Sequence, residues 1–119
     1  MYIKPKVYKK GWGREHWLHN SEKYAFKILE FKKGGRSSLH FHAKKTKTWF
    51  VESGGFEVVF VDGANAKRIK LTVTQGMVFH ILPGIPHQVR CFMAGRIFEA
   101  STQHFEDDSY RIEKGGICH

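Results

Sequence analysis

Short runs of strand-forming residues recur along the chain: 24–31 (YAFKILEF), 48–52 (TWFVE), 56–61 (FEVVFV), 69–74 (IKLTVT), 77–82 (MVFHIL) and 96–100 (RIFEA). Turn signals separate them, namely Lys33-Gly34-Gly35, Ser53-Gly54-Gly55, Asp62-Gly63, Gln75-Gly76, Pro83-Gly84 and Ala94-Gly95. None of the runs is long enough for a helix, and Ile69, Leu71 and Val73 alternate with Lys70, Thr72 and Thr74 as a strand with one wet face should. Strands of this length, with turns roughly every 8–12 residues, predict an all-β barrel or sandwich and not a βαβ fold. No repeat and no Pro- or Ser-rich linker divides the chain, so residues 1–119 read as one domain, with 114–119 as a tail within a polar stretch that begins at Tyr110.

Composition agrees with that picture. The 119 residues are 41% hydrophobic and 26% charged, enough apolar material for one core and too much charge for a membrane span, which needs roughly 18 or more apolar residues in a row. MYIKPKVYKK lacks the apolar stretch of a secretory signal, so a cytoplasmic location is expected. Two cysteines make no disulfide framework: Cys91 reads as a small buried residue and Cys118 as a tail residue. A net charge of +9 favours an anionic partner. The basic clusters (Lys4, Lys6, Lys9, Lys10; Lys32, Lys33; Lys44, Lys45, Lys47; Lys67, Arg68, Lys70) have no nucleic-acid motif beside them, so solvated strand edges are expected and a nucleic-acid partner is not.

The candidate chemistry lies among the eight histidines. In an extended strand, residues two apart share a face, so His40 and His42 present two imidazoles together while Phe41 points away. The turn Pro83-Gly84-Ile85-Pro86 then delivers His87 to the start of another strand. Three imidazoles from two strands suit a divalent transition metal such as zinc, manganese, iron, nickel or copper, and leave positions open for water or substrate. His80 reads as a hydrogen-bonded core histidine supporting the site, with a spare metal ligand as the other reading if it faces inward, and His16, His19, His104 and His119 as solvated. Trp49 reads as core, whereas Trp12 and Trp17 are candidates for stacking on a sugar ring.

These spacings resemble the two motifs of the cupin superfamily. The pattern G-x5-H-x-H-x4-E-x6-G is met by Gly34, His40, His42 and Gly54, with Lys47 in the glutamate's place. The pattern G-x5-P-x-G-x2-H-x3-N is met by Gly76, Gly84 and His87, with Leu82 and Cys91 replacing the proline and the asparagine. The resemblance implies a double-stranded β-helix barrel of jelly-roll type with a metal in its mouth. A narrower similarity, over about residues 10–113, is to type II mannose-6-phosphate isomerase domains: Lys10-Gly11-Trp12-Gly13, Ser38-Leu39, Trp49-Phe50-Val51, Ser53-Gly54 and Phe105-Glu106-Asp107-Asp108 to Arg111 carry it.

That similarity implies aldose–ketose isomerisation of a small phosphorylated or nucleotide-linked sugar. The metal would polarise the substrate oxygens and Glu99, where the family has a glutamate on a late strand, would carry the proton; a hydrated Glu99 on the outer face is the competing reading. Lys47 departs from the family, because an ammonium cannot ligate a metal; it is a solvated rim residue, the mark of a lost site, or a partner for the substrate anion. The other functions to be weighed are a non-catalytic sugar- or anion-binding cupin, a three-histidine dioxygenase and a nucleotide-sugar isomerase or epimerase. A homodimer is expected, with Tyr2 to Tyr8 as candidates for covering a barrel edge.

Overall fold

The computed structural model describes residues 1–117 and contains only strands and turns there. In chain order the strands are β1 Lys6–Lys10, β2 Gly13–Asn20, β3 Ala25–Phe31, β4 Gly35–Arg36, β5 Leu39–Phe41, β6 Lys47–Val51, β7 Gly55–Val61, β8 Arg68–Thr74, β9 Val78–Ile81, β10 His87–Met93, β11 Gly95–Ser101, β12 Tyr110–Glu113 and β13 Gly116–Ile117. All pairings are antiparallel. One sheet has the order β1-β2-β3-β11-β6-β9; in the other, β10 pairs with β7 on one edge and with β5 and β4 on the opposite edge, β8 flanking β7, β12 flanking β5 and β13 flanking β4. Radius of gyration, 13.7 Å, agrees with the roughly 13.5 Å expected of one domain of this length.

The period of two decides what enters the barrel. In β3 every second residue is buried, so Ala25, Lys27, Leu29 and Phe31 share the inner face; in β6 Lys47, Trp49 and Val51 do, and in β11 Ile97 and Glu99. Register turns these columns into rows. Leu29, Ile97 and Val51 form one apolar row across β3, β11 and β6, while Lys27, Glu99 and Trp49 form the next, with Lys47 opposite Ser101 beyond it. The barrel interior is therefore split lengthwise: the apolar core, with Phe31, Phe56, Val58, Val73, Val89 and Ile97 among its members, fills one end, and charged side chains line the other.

Three expectations need correction. The 114–119 tail is too long by four residues, since Gly116 and Ile117 pair with Arg36 and Gly35; Cys118 and His119 lie outside the described residues. Lys6–Lys10 pairs with β2 of its own chain and ends its sheet. On β8 only Val73 is buried and Leu71 is 41% exposed, because β8 pairs with β7 alone and ends its sheet. His16 and His19, expected in solvent, are half-buried on β2.

Gly54 and Gly76 test the turn geometry. Both have a positive φ, 85° and 90°, but a Cβ on Gly54 would lie 2.6 Å from the carbonyl oxygen of Met93 and 2.8 Å from that of Ala94, whereas one on Gly76 would meet nothing. Gly76→Ala should cost about 1–2 kcal/mol of stability, the ordinary penalty of a left-handed alanine. Gly54→Ala should cost more, on the order of 3 kcal/mol or above, because backbone must also move. Urea denaturation of the two variants checks the order.

Candidate metal centre

The three histidines converge. His40 on β5 and His87 on β10 are directly paired across the ladder, and His42 follows one residue after β5 ends. Ring centroids are 4.6 Å apart for His40 and His87, 5.1 Å for His40 and His42 and 6.0 Å for His42 and His87. One ring nitrogen from each lies within 4.8 Å of the others. Each imidazole is also held by a backbone carbonyl: Nδ1 of His40 donates to Ser38 O at 3.0 Å, that of His42 to Asp108 O at 2.8 Å and that of His87 to Ile85 O at 2.8 Å. A proton fixed on Nδ1 leaves the lone pair on Nε2, the tautomer a metal requires, with the second nitrogen anchored as in most histidine metal sites. Nε2 of His87 is fully buried and has no hydrogen-bond partner. A buried, partnerless lone pair facing two others is what a divalent cation would satisfy.

Burial, followed by the charge of Lys47, lowers the pKa of His40 to about 4 and of His42 to about 3, and the same two causes put His87 well below its ordinary value. The imidazoles are thus neutral at pH 7, ready to ligate. Asp108, 2% exposed, secures the turn behind them: its carboxylate accepts from the backbone N–H of Ala43 at 2.9 Å and of Lys44 at 3.1 Å. Nothing in the sequence motifs assigned that task to Asp108; its position in the Glu106-Asp107-Asp108 stretch was the only signal.

Glu99 faces inward and is 3% exposed, so the outer-face reading fails. Its Oε1 accepts from the Trp49 indole at 2.8 Å and lies 3.5 Å from the Lys47 ammonium; its Oε2 lies 3.7 Å from Lys45. Burial by itself would raise the Glu99 carboxyl, but Lys47, Lys45, Lys27 and the indole outweigh it and hold the group ionised. Desolvation pulls both lysines down, Lys45 to about 8, and Glu99 opposes the fall in each. Lys47 is 4% and Lys45 3% exposed, so neither is the solvated strand-edge residue that its cluster suggested. Lys27, also buried, pairs with Glu15 at 3.0 Å and lies 3.9 Å above the Trp17 ring.

A cavity of about 650 Å³ opens onto these groups, lined among others by His40, His42, Lys45, Lys47, Glu99, Trp12 and Trp17. Trp12 stacks on Phe31 at 4.2 Å, leaving it a wall residue more than a free platform. His104 is the residue that sequence reasoning missed. Expected in solvent, it lines the cavity instead, its ring 6.4 Å from that of His42 and edge-on to Trp17 at 4.9 Å. Its backbone is clamped by Asn20 at both N–H and C=O, its Nδ1 is buried without a partner, and burial, then Lys27 and Lys45, lowers its pKa to about 4. No local pattern signals this, because Asn20 and His104 lie on distant segments. His80 errs the other way: it is exposed on the outer face, bonded through Nδ1 to Thr48 Oγ1 at 2.9 Å, since inward positions on β9 belong to Phe79 and Ile81.

The depressed histidines predict how the metal-free protein responds to acid. A group whose folded pKa lies below its unfolded value binds fewer protons when folded, so stability is present above the unfolded pKa and is lost as pH falls through the folded one. For His40, His42 and His104 that window runs from 6.5 down to about 4 or 3. Denaturation midpoints of metal-free protein should fall steadily from pH 7 to 4, and His104→Gln should flatten the slope. A midpoint constant over that range would contradict the buried placement of these rings.

A cupin-domain family model matches residues 27–92, more than half of the chain. A search of curated proteins finds no match. Among solved structures, the capsular polysaccharide assembling protein CapF of Staphylococcus aureus superposes with a TM-score of 0.82 at 17% identity, over 94% of this chain and 32% of that one. Bacillus subtilis oxalate decarboxylase superposes at 0.79 with 18% identity, over 91% and 30%, and the Lactobacillus farciminis enzyme at 0.80 with 16%, over 91% and 34%. The chain spans about a third of the length of each of these proteins, and at such identities the likeness is one of fold. With two antiparallel sheets closed on a three-histidine centre, and the family match running from β3 into β10, the chain belongs to the cupin family.

Proposed function

We propose that this cupin is a metal-dependent enzyme acting on a small anionic sugar, and that its reaction is the interconversion of an aldose phosphate and a ketose phosphate. The observation that carries the reading is the cavity itself: His40 and His42, which converge with the buried His87 and keep Nε2 free, open onto a space lined by six cationic side chains against three carboxylates. The donor set of three neutral nitrogens fits a divalent transition ion, which when bound would polarise the substrate's C1 and C2 oxygens. The wider relatives support a metal and a sugar in the same fold: an oxalate decarboxylase is described with Mn(II) centres, and CapF as a capsular polysaccharide assembling protein. The isomerisation itself, like a phosphorylated or nucleotide-linked substrate, rests on the sequence resemblance.

In this reading Lys45, Lys47 and the rim cations receive the phosphate, and the cavity walls keep water from the reacting carbons. Glu99 is a poor base while two ammonium groups and an indole hold it. An anionic substrate that draws either lysine toward itself would release the carboxylate's affinity for a proton, so proton transfer would begin only once substrate is in place. The Lys47–Glu99 pair equally favours a second reading, a non-catalytic cupin that binds sugars or anions, because a permanent ion pair leaves no free base.

Protein purified without an affinity tag should carry a transition metal, and His42→Ala should reduce it to background. Mannose 6-phosphate and fructose 6-phosphate should interconvert in the presence of zinc or manganese, with Glu99→Gln lowering turnover at least about a hundredfold, as expected for loss of a general base. Bound metal without conversion in either direction would leave the binding reading in place of the isomerase.

A further inference from the structure

We propose that an exogenous anion completes the metal centre: a carboxylate or phosphate oxygen of the bound small molecule lies between the cation held by His40, His42 and His87 and the ammonium groups of Lys47 and Lys45. The inference rests on the metal-binding reading and adds to it the charge of the missing ligand. No carboxylate joins the three histidines among the described residues. The nearest candidate, Glu99, is occupied on both oxygens, Oε1 by Trp49 and Lys47 and Oε2 by Lys45, and Glu15 is taken by Lys27 at 3.0 Å. Three buried lysines thus share two carboxylates, which leaves one positive charge without a partner before any metal arrives. Adding a dication to neutral imidazoles beside that surplus is unfavourable in a buried site unless negative charge enters with it. Arg111 and Lys114, both exposed, also line the cavity and add to its attraction for an anion, and His104 lines it as well. Metal and anion are then mutual effectors, each raising the other's affinity by the same factor.

The test measures manganese and zinc affinity of the purified protein by competition with a chromophoric chelator, in chloride, in formate and in inorganic phosphate. Wild type should bind metal about tenfold or more tightly in at least one of the two oxyanions than in chloride, within the usual range of coupling between sites. The formate and phosphate arms show which headgroup the site accepts. Lys47→Gln should lose most of that enhancement, and Lys47→Glu, which restores a carboxylate to the motif, should bind metal tightly in chloride and gain little from either anion. Lys70→Gln, on the exposed edge strand, should retain the full enhancement and so exclude a general effect of the protein's charge. Metal bound equally well in all three salts would overturn this inference while leaving the metal reading intact; no metal bound in any of them would overturn both. Should Lys47→Gln fail to fold, the comparison of wild type across the three salts decides the matter alone.

Discussion

One carboxylate holds the polar half of this barrel together. Glu99 occupies an interior row between Lys27 and Trp49, with Lys47 diagonally beyond, and its two oxygens meet two ammonium groups and an indole N–H. Buried lysines are tolerated only where a counter-charge is in place, and removing one member of such a pair typically costs roughly 3–5 kcal/mol, because the remaining charge is stranded. Without Glu99, Lys45 and Lys47 would have to leave the barrel or give up their protons. The wall of the histidine site, the cavity shape and the sign of its charge all follow from this pairing.

The histidines depend on it in turn. Lys47 is, after burial itself, the strongest influence keeping all three imidazoles neutral. Backbone carbonyls of Ser38, Ile85 and Asp108 then choose which nitrogen carries the remaining proton. In the proposed centre, neutral, correctly tautomerised imidazoles beside an excess of positive charge would favour a cation in the company of an anion, which would make the centre more selective than three histidines alone. The residue that departs from the family motif is therefore part of a different charge arrangement, held in place by neighbours suited to it.

Much of this was legible in the chain. The six strand runs, the His-x-His pair on one face and the glycine-proline turn before His87 depend on local alternation and turn chemistry, and all three survive in the structure. Orientation was harder. The alternation of β11 permitted Glu99 to face either way, and only the register against Lys27 and Trp49 settles it. Lys27 and Lys45 look like ordinary surface lysines because their carboxylates come from strands far away in sequence. His104 was hidden for the same reason, its loop being fixed by Asn20 across the fold. The short β4 and β13 lack hydrophobic periodicity, being two residues each and held by pairing alone. Long-range partners, not local pattern, decide each of these cases.

The central claim is a cation held by three imidazoles and no protein carboxylate. X-ray absorption at the zinc edge of loaded protein tests it directly, since imidazole rings give a distinctive outer-shell scattering whose amplitude counts them. Three imidazoles are expected, with directly bound oxygen that changes when formate is exchanged for phosphate. A spectrum with one imidazole or none, or an oxygen shell indifferent to the anion supplied, would contradict it.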